Sequence, residues 1–166
     1  PGGTSDQNGQ VSVDITSVKS GSASVSATST TDPSGKSITI QFVADTTTAA
    51  VTLLDSDKAS APADGKTAIA LTATVRDAHG NTVPSVAVRF ISDKGALSAS
   101  EAMTDRNGLA HVTVTSTQDG PLTVTATTLT VSAGKSKTLN FYADASTAVV
   151  ATLLSDRNTL TADGKS

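Results

Sequence analysis

Slid against itself by 99 positions, the sequence aligns residues 6–67 with residues 105–166 without a gap, and 28 of those 62 positions are identical. The matches fall on turn residues as well as on apolar ones. Asp6, Asn8 and Gly9 meet Asp105, Asn107 and Gly108, while Gly35, Lys36 and Ser37 meet Gly134, Lys135 and Ser136. Phe42, Ala44 and Asp45 meet Phe141, Ala143 and Asp144, and Ala63, Asp64, Gly65 and Lys66 meet Ala162, Asp163, Gly164 and Lys165. Similar apolar patterns arise by chance, but identical turn residues at one fixed offset do not. The period is too long for a solenoid, whose repeats run roughly 20–50 residues. It has the size of one compact domain. The repeat therefore predicts a complete domain at residues 46–144, the last strands of a preceding one at 1–45 and the start of a third at 145–166. The parent is then expected to be a longer tandem array.

The alternation within each copy sets the type of structure. Val11, Val13 and Ile15 alternate with Ser12 and Asp14; Ile69, Leu71, Ala73 and Val75 alternate with Ala70, Thr72 and Thr74; Leu122, Val124 and Ala126 alternate with threonines. A period of two places apolar side chains on one face of a strand. The chain holds 28 Thr and 22 Ser; such Ser/Thr-rich runs make poor helices, whereas β-branched residues suit a pleated surface. The fold class is all-β.

Turn residues divide the complete unit. A first strand near residues 49–54 is expected to switch sheets around Ala61 and Pro62, and Asp64-Gly65-Lys66 forms a turn, since Gly tolerates the positive φ that tight turns need. Strands follow at 68–76, through Val86, Val88 and Phe90, and at 110–116, 122–128 and 138–143, with reversals at 77–81, 93–95 and 105–108. Asn107-Gly108 predicts a hairpin through a type I′ turn. About seven strands over ~100 residues describe an immunoglobulin-like β-sandwich. With no Trp and no Cys, the core falls to Phe90, Phe141 and small aliphatic side chains.

The unit opens on Ala63-Asp64-Gly65-Lys66. It continues through Ala73-Thr74-Val75-Arg76-Asp77-Ala78-His79-Gly80-Asn81, Val83-Pro84 and Val86-Ala87-Val88, and later carries Thr104-Asp105-Arg106-Asn107-Gly108-Leu109-Ala110. These stretches together resemble the group 1 bacterial Ig-like domains of the intimin/invasin family of outer-membrane adhesins. The resemblance covers the complete unit and, through the internal repeat, both flanking parts. It implies an extracellular stalk that projects a binding tip from a bacterial surface, exported through a β-barrel as an inverse autotransporter passenger. The barrel, the peptidoglycan-binding segment and a lectin-like tip are not recognisable in these residues.

Composition removes other classes. With 12 basic and 15 acidic residues the net charge is −3, no footprint for nucleic acid or an anionic membrane. Lack of Cys excludes a disulfide scaffold and Cys-ligated zinc, and no apolar run approaches the ~18 residues of a membrane span. No basic-then-apolar leader opens the sequence, so an export signal is expected outside it. His79 in a turn and His111 on a strand bring no spacing that suggests a triad, so no catalytic residue is assigned and no enzyme is expected. Asp105-x-Asn107-Gly108 resembles the start of a calcium loop, but Ser116 stands where the bidentate Glu is needed. Asp45, Asp64, Asp144 and Asp163 recur near the domain junctions; the ordinary reading is turn aspartates, the alternative a bridging cation. Tyr142 is read as a junction residue packed on the next unit rather than as a sugar platform. No cofactor or metal is expected. The expected partners are neighbouring domains of the same chain. The competing reading makes a host cell-surface or matrix protein the partner, through the loop around His79 or residues 93–103; a third makes the chain a spacer in another secreted protein.

Overall fold

Alternating apolar and hydroxyl residues give strands with one dry and one wet face, and two such sheets stack with their dry faces together. The computed structural model describes residues 2–162 and Gly164; Asp163 and Lys165 of the repeated Ala-Asp-Gly-Lys lie outside the described residues. A first hairpin pairs β1 (Gly21–Ala27) with β2 (Lys36–Phe42). After a 3-10 turn at Thr46–Thr48, the chain forms β3 (Ala50–Ser56), β4 (Ser60–Pro62), β5 (Ile69–Arg76), β6 (Ala87–Ser92), β7 (Ala96–Leu97), β8 (Glu101–Met103), β9 (Leu109–Thr115), β10 (Gly120–Thr128) and β11 (Lys135–Tyr142). One sheet runs β4-β11-β10-β6-β8 and faces another that runs β3-β5-β9-β7.

The expected sheet switch is present: β3 pairs with β5, whereas β4 lies parallel to β11 in the other sheet. A register shift between Val51 and Leu53 lets Val51 and Leu54 both face inward while Leu53 stays exposed. The core between the sheets is centred on Phe90 and Phe141, each 1% exposed, with Ile69, Leu71, Val75, Val88, Leu122, Val124 and Leu139 around them. The outer faces carry hydroxyl pairs such as Thr123 with Thr138 and Thr125 with Ser136.

The all-β sandwich is as expected, its about seven strands divided more finely into nine segments, because β4 breaks from β3 and residues 93–103 supply two short edge strands. Several expectations are corrected. The turn at 105–108 is not a type I′ hairpin. Asn107 has no positive φ, since Ser85 is the non-glycine residue with one among the described residues, and only Gly108 takes φ +74°. The Asp105 carboxylate accepts the N–H groups of Asn107 and Leu109 at 2.8 and 2.9 Å, which stabilises the alternative turn. That turn carries the chain from β8 in one sheet to β9 in the other. Val11, Val13 and Ile15 form no strand and stay exposed; their counterpart β9 is held between β5 and β7, and among the described residues no strand pairs with residues 11–15. After a second 3-10 turn at Ala145–Thr147, no strand forms among the described residues.

Local structure nevertheless recurs at the 99-residue spacing. β1 and β2 correspond to β10 and β11, and the two 3-10 turns correspond to each other. Asp6 accepts from Asn8 and Gln10 as Asp105 does from Asn107 and Leu109. The Ser17 hydroxyl bridges Lys19 N–H and C=O just as the Ser116 hydroxyl bridges those of Gln118.

Candidate functional site at the joint between hairpin and sandwich

The loop after β5, residues 77–81, closes on Asp77, whose own N–H donates to Asn81 C=O at 3.0 Å. Asp77 is 6% exposed, and a buried carboxylate needs donors on every side. Its Oδ1 accepts from the N–H groups of His79 and Asn81, both at 2.9 Å, and its Oδ2 from Asn81 Nδ2 at 2.8 Å and Asp45 N–H at 3.1 Å. Burial alone would push this carboxyl up; the Asn81 amide and the three backbone donors outweigh it and hold it at about 2.

Asn81 then reaches across to the segment preceding β1. Its Nδ2 donates to Val18 C=O at 2.9 Å and its Oδ1 accepts from Ser20 N–H at 3.0 Å. The second tie is the linker. Asp45 caps its 3-10 turn by accepting from Thr47 N–H at 2.9 Å and Thr47 hydroxyl at 2.6 Å, and those donors, the hydroxyl foremost, lower its carboxyl from the ordinary value. Thr48 Oγ1 accepts from Ala78 N–H at 3.2 Å. The hairpin is thus joined to the sandwich at two places about one loop. Between them lies an open cleft of about 440 Å3 lined by Gly21, Phe42, Ala44, Val83, Pro84 and Arg106.

The His79 loop, expected as a first candidate for a host partner, therefore has its backbone and its Asp and Asn side chains engaged within the chain. Sequence reasoning missed Asn81 and Ser20; the signal available was Asp77 and Asn81 in one loop, a pattern any turn would share. Residues 93–103 remain on the sheet edges.

The other candidates resolve locally. Asp64 accepts from Thr67 hydroxyl at 2.7 Å and from the N–H groups of Thr67 and Lys66 at 2.6 and 2.7 Å, which hold it at about 2. Asp144 is lowered chiefly by the Ser146 hydroxyl and N–H. Asp64 and Asp144 share a cleft at the far end of the sandwich, yet no three metal-ligating side chains gather among the described residues. His111 Nδ1 lies 3.0 Å from Thr72 Oγ1 on the outer face of its sheet, and no third group orients the ring among the described residues, as a triad would require. Tyr142 is 51% exposed. Among the described residues no helix is long and apolar enough to cross a membrane.

Comparison with known proteins fits this architecture. Residues 48–142 match the family described as bacterial Ig-like domain (group 1). The inverse autotransporter adhesin YeeJ of Escherichia coli (strain K12) is 34% identical over 148 residues, 87% of this chain and 6% of that protein. Among solved structures, the D00-D0 domain of intimin is 30% identical with a TM-score of 0.55, over 67% of this chain and 60% of that one. A C-terminal 282-residue fragment of intimin, solved with the intimin-binding domain of the translocated intimin receptor, is 34% identical with a TM-score of 0.53, over 56% of this chain and 33% of that one. The chain thus spans a small part of the adhesin it matches.

Proposed function

The chain belongs to the group 1 bacterial Ig-like domain family, and from that premise we propose that it is a stalk segment of an extracellular bacterial adhesin, a spacer that projects a binding tip. Its domains are residues 1–45, 46–144 and 145–166, the first and last being parts of neighbouring units, and a longer parent protein anchors it in the outer membrane. No catalytic step is assigned to it. Its immediate partners are the neighbouring units, while a host cell-surface or matrix protein is the partner of the assembled adhesin.

The observation that carries this reading is the joint. A spacer must transmit position, which a free linker cannot do. Here the linker is a capped turn, and the loop after β5 grips both it and the segment before β1 through Asp77, Ala78 and Asn81. The outer faces carry hydroxyl pairs, Thr123 with Thr138 and Thr125 with Ser136, which keep those stretches of the surface polar. Small-angle scattering of the 166-residue chain should give an elongated particle, with no saturable binding to host cells or matrix proteins at micromolar concentration. A compact scattering profile or saturable binding by this segment alone would replace the spacer reading with a receptor-binding one.

A further inference from the structure

We propose that the parallel pairing of β4 with β11 is a shear clamp that keeps the sandwich closed under tension; the inference rests on the stalk reading above. A stalk holding a bound tip is pulled along its chain. Load reaches the sandwich from the linker ahead of Ala50 and leaves it beyond Tyr142. Between those points β3 climbs one sheet, crosses over, and continues as β4 beside β11, with Ser60 opposite Asn140, Ala61 opposite Phe141 and Pro62 opposite Tyr142.

Because the two strands run the same way, the upstream end of β4 and the downstream end of β11 lie at opposite ends of the patch. Tension then slides one strand along the other, so every bond in the patch carries load together. An antiparallel pair pulled from ends that lie side by side opens one bond at a time. The patch is bounded by Asn140 N–H donating to Ala59 C=O at 3.0 Å and by Ala63 N–H donating to Tyr142 C=O at 2.8 Å. Ala61 and Phe141 are 2% and 1% exposed, so slippage also drags apolar surface past the core. Lys137 on β11 holds Asp55 on β3 at 2.9 Å, and the hydroxyls of Thr128 and Thr130 hold Ala49 C=O at 2.7 and 3.1 Å where load arrives. The sheet switch that makes β4 a separate strand is what places a parallel pair among described strands that otherwise pair antiparallel.

The chain has no cysteine, so introduced pairs give unique handles for single-molecule pulling at exposed positions. Thr46→Cys with Ala145→Cys loads the sandwich end to end. Ala59→Cys with Ala145→Cys loads the β4–β11 patch without β3. Thr46→Cys with His79→Cys unzips β3 from β5, because Ala50 pairs with Arg76 at the same end. Forced unfolding reports the barrier on the loaded path, so both end-loaded geometries should need roughly twice or more the force of the unzipping one. Equal forces in all three geometries would overturn the clamp. So would a 59–145 force that falls to the unzipping level, because the resistance would then belong to β3 and β5. These forces are independent of whether the segment binds a host protein, so a failed clamp and a failed stalk reading are distinguishable.

Discussion

Replacing Asn81 by Ala should loosen the joint while leaving the sandwich folded. The side chain makes three hydrogen bonds, and two of them, to Val18 C=O and Ser20 N–H, cross from the sandwich to the segment before β1. A typical net contribution of about 0.5–1.5 kcal/mol per bond makes the crossing pair worth about 1–3 kcal/mol. That corresponds to a rise of about 5–150-fold in the opening constant of the contact. The readout is amide hydrogen exchange by NMR. Ser20 N–H should exchange faster by that factor, whereas Val75 N–H, bonded to Gly108 C=O at 2.8 Å inside the sandwich, should keep its rate. Asn81→Asp sharpens the test. It retains an acceptor for Ser20 but sets a carboxylate oxygen where Nδ2 now lies 2.9 Å from Val18 C=O and 2.8 Å from Asp77 Oδ2. Asp should therefore loosen the joint more than Ala does. An unchanged Ser20 rate in both variants, or a tighter joint with Asp than with Ala, would refute the reasoning.

Phe141→Ala removes a ring that is 1% exposed and should cost about 3–5 kcal/mol, visible as a much lower urea midpoint. Gly108→Ala should destabilise by about 1–2 kcal/mol or more, because the residue sits at φ +74° and a Cβ there would lie 2.7 Å from Val75 C=O; thermal melts decide it. The carboxyls of Asp64 and Asp77 stand at about 2 against an ordinary 3.8. Between those values the unfolded chain binds protons that the folded chain does not, so their stabilisation is present above about pH 4 and fades as pH falls towards 2. Asp64→Asn or Asp77→Asn should flatten that limb of a melting-versus-pH curve. Excess calcium or chelator should leave the melting temperature unchanged, since Asp45, Asp64 and Asp144 already accept hydrogen bonds from neighbouring hydroxyls and N–H groups.

Much of the sandwich was legible because its signals are local and periodic. The alternation in residues 69–75 and 122–126 places inward residues that the structure buries, and the Ala61-Pro62 interruption marks the sheet switch. The failures are those of context. Val11, Val13 and Ile15 carry a strand pattern, but a strand needs a neighbour, and periodicity does not supply one. Asn-Gly at 107–108 satisfies a hairpin rule, yet Asp105 competes for the same N–H groups and selects a different turn. Edge strands of two and three residues, β7 and β8, are too short for any period to register.

The joint was hidden for another reason. Its key contacts link residues 61 and 63 positions apart, and an Asn closing a loop looks the same whether its amide faces solvent or another segment. The repeat nonetheless held the clue. Val18 and Ser20 correspond at the 99-residue spacing to Thr117 and Asp119, and the linker residues Asp45 and Thr48 to Asp144 and Thr147. In the structure the Ser17 and Ser116 turns beside these positions share one hydrogen-bond pattern, and both linker aspartates cap their turns alike. One unit therefore carries the gripping loop, with Asp77 and Asn81, at one end and the counterpart of the gripped surface at the other. The end-to-end stacking of units proposed above needs that arrangement, a gripping loop at one end and a surface to grip at the other.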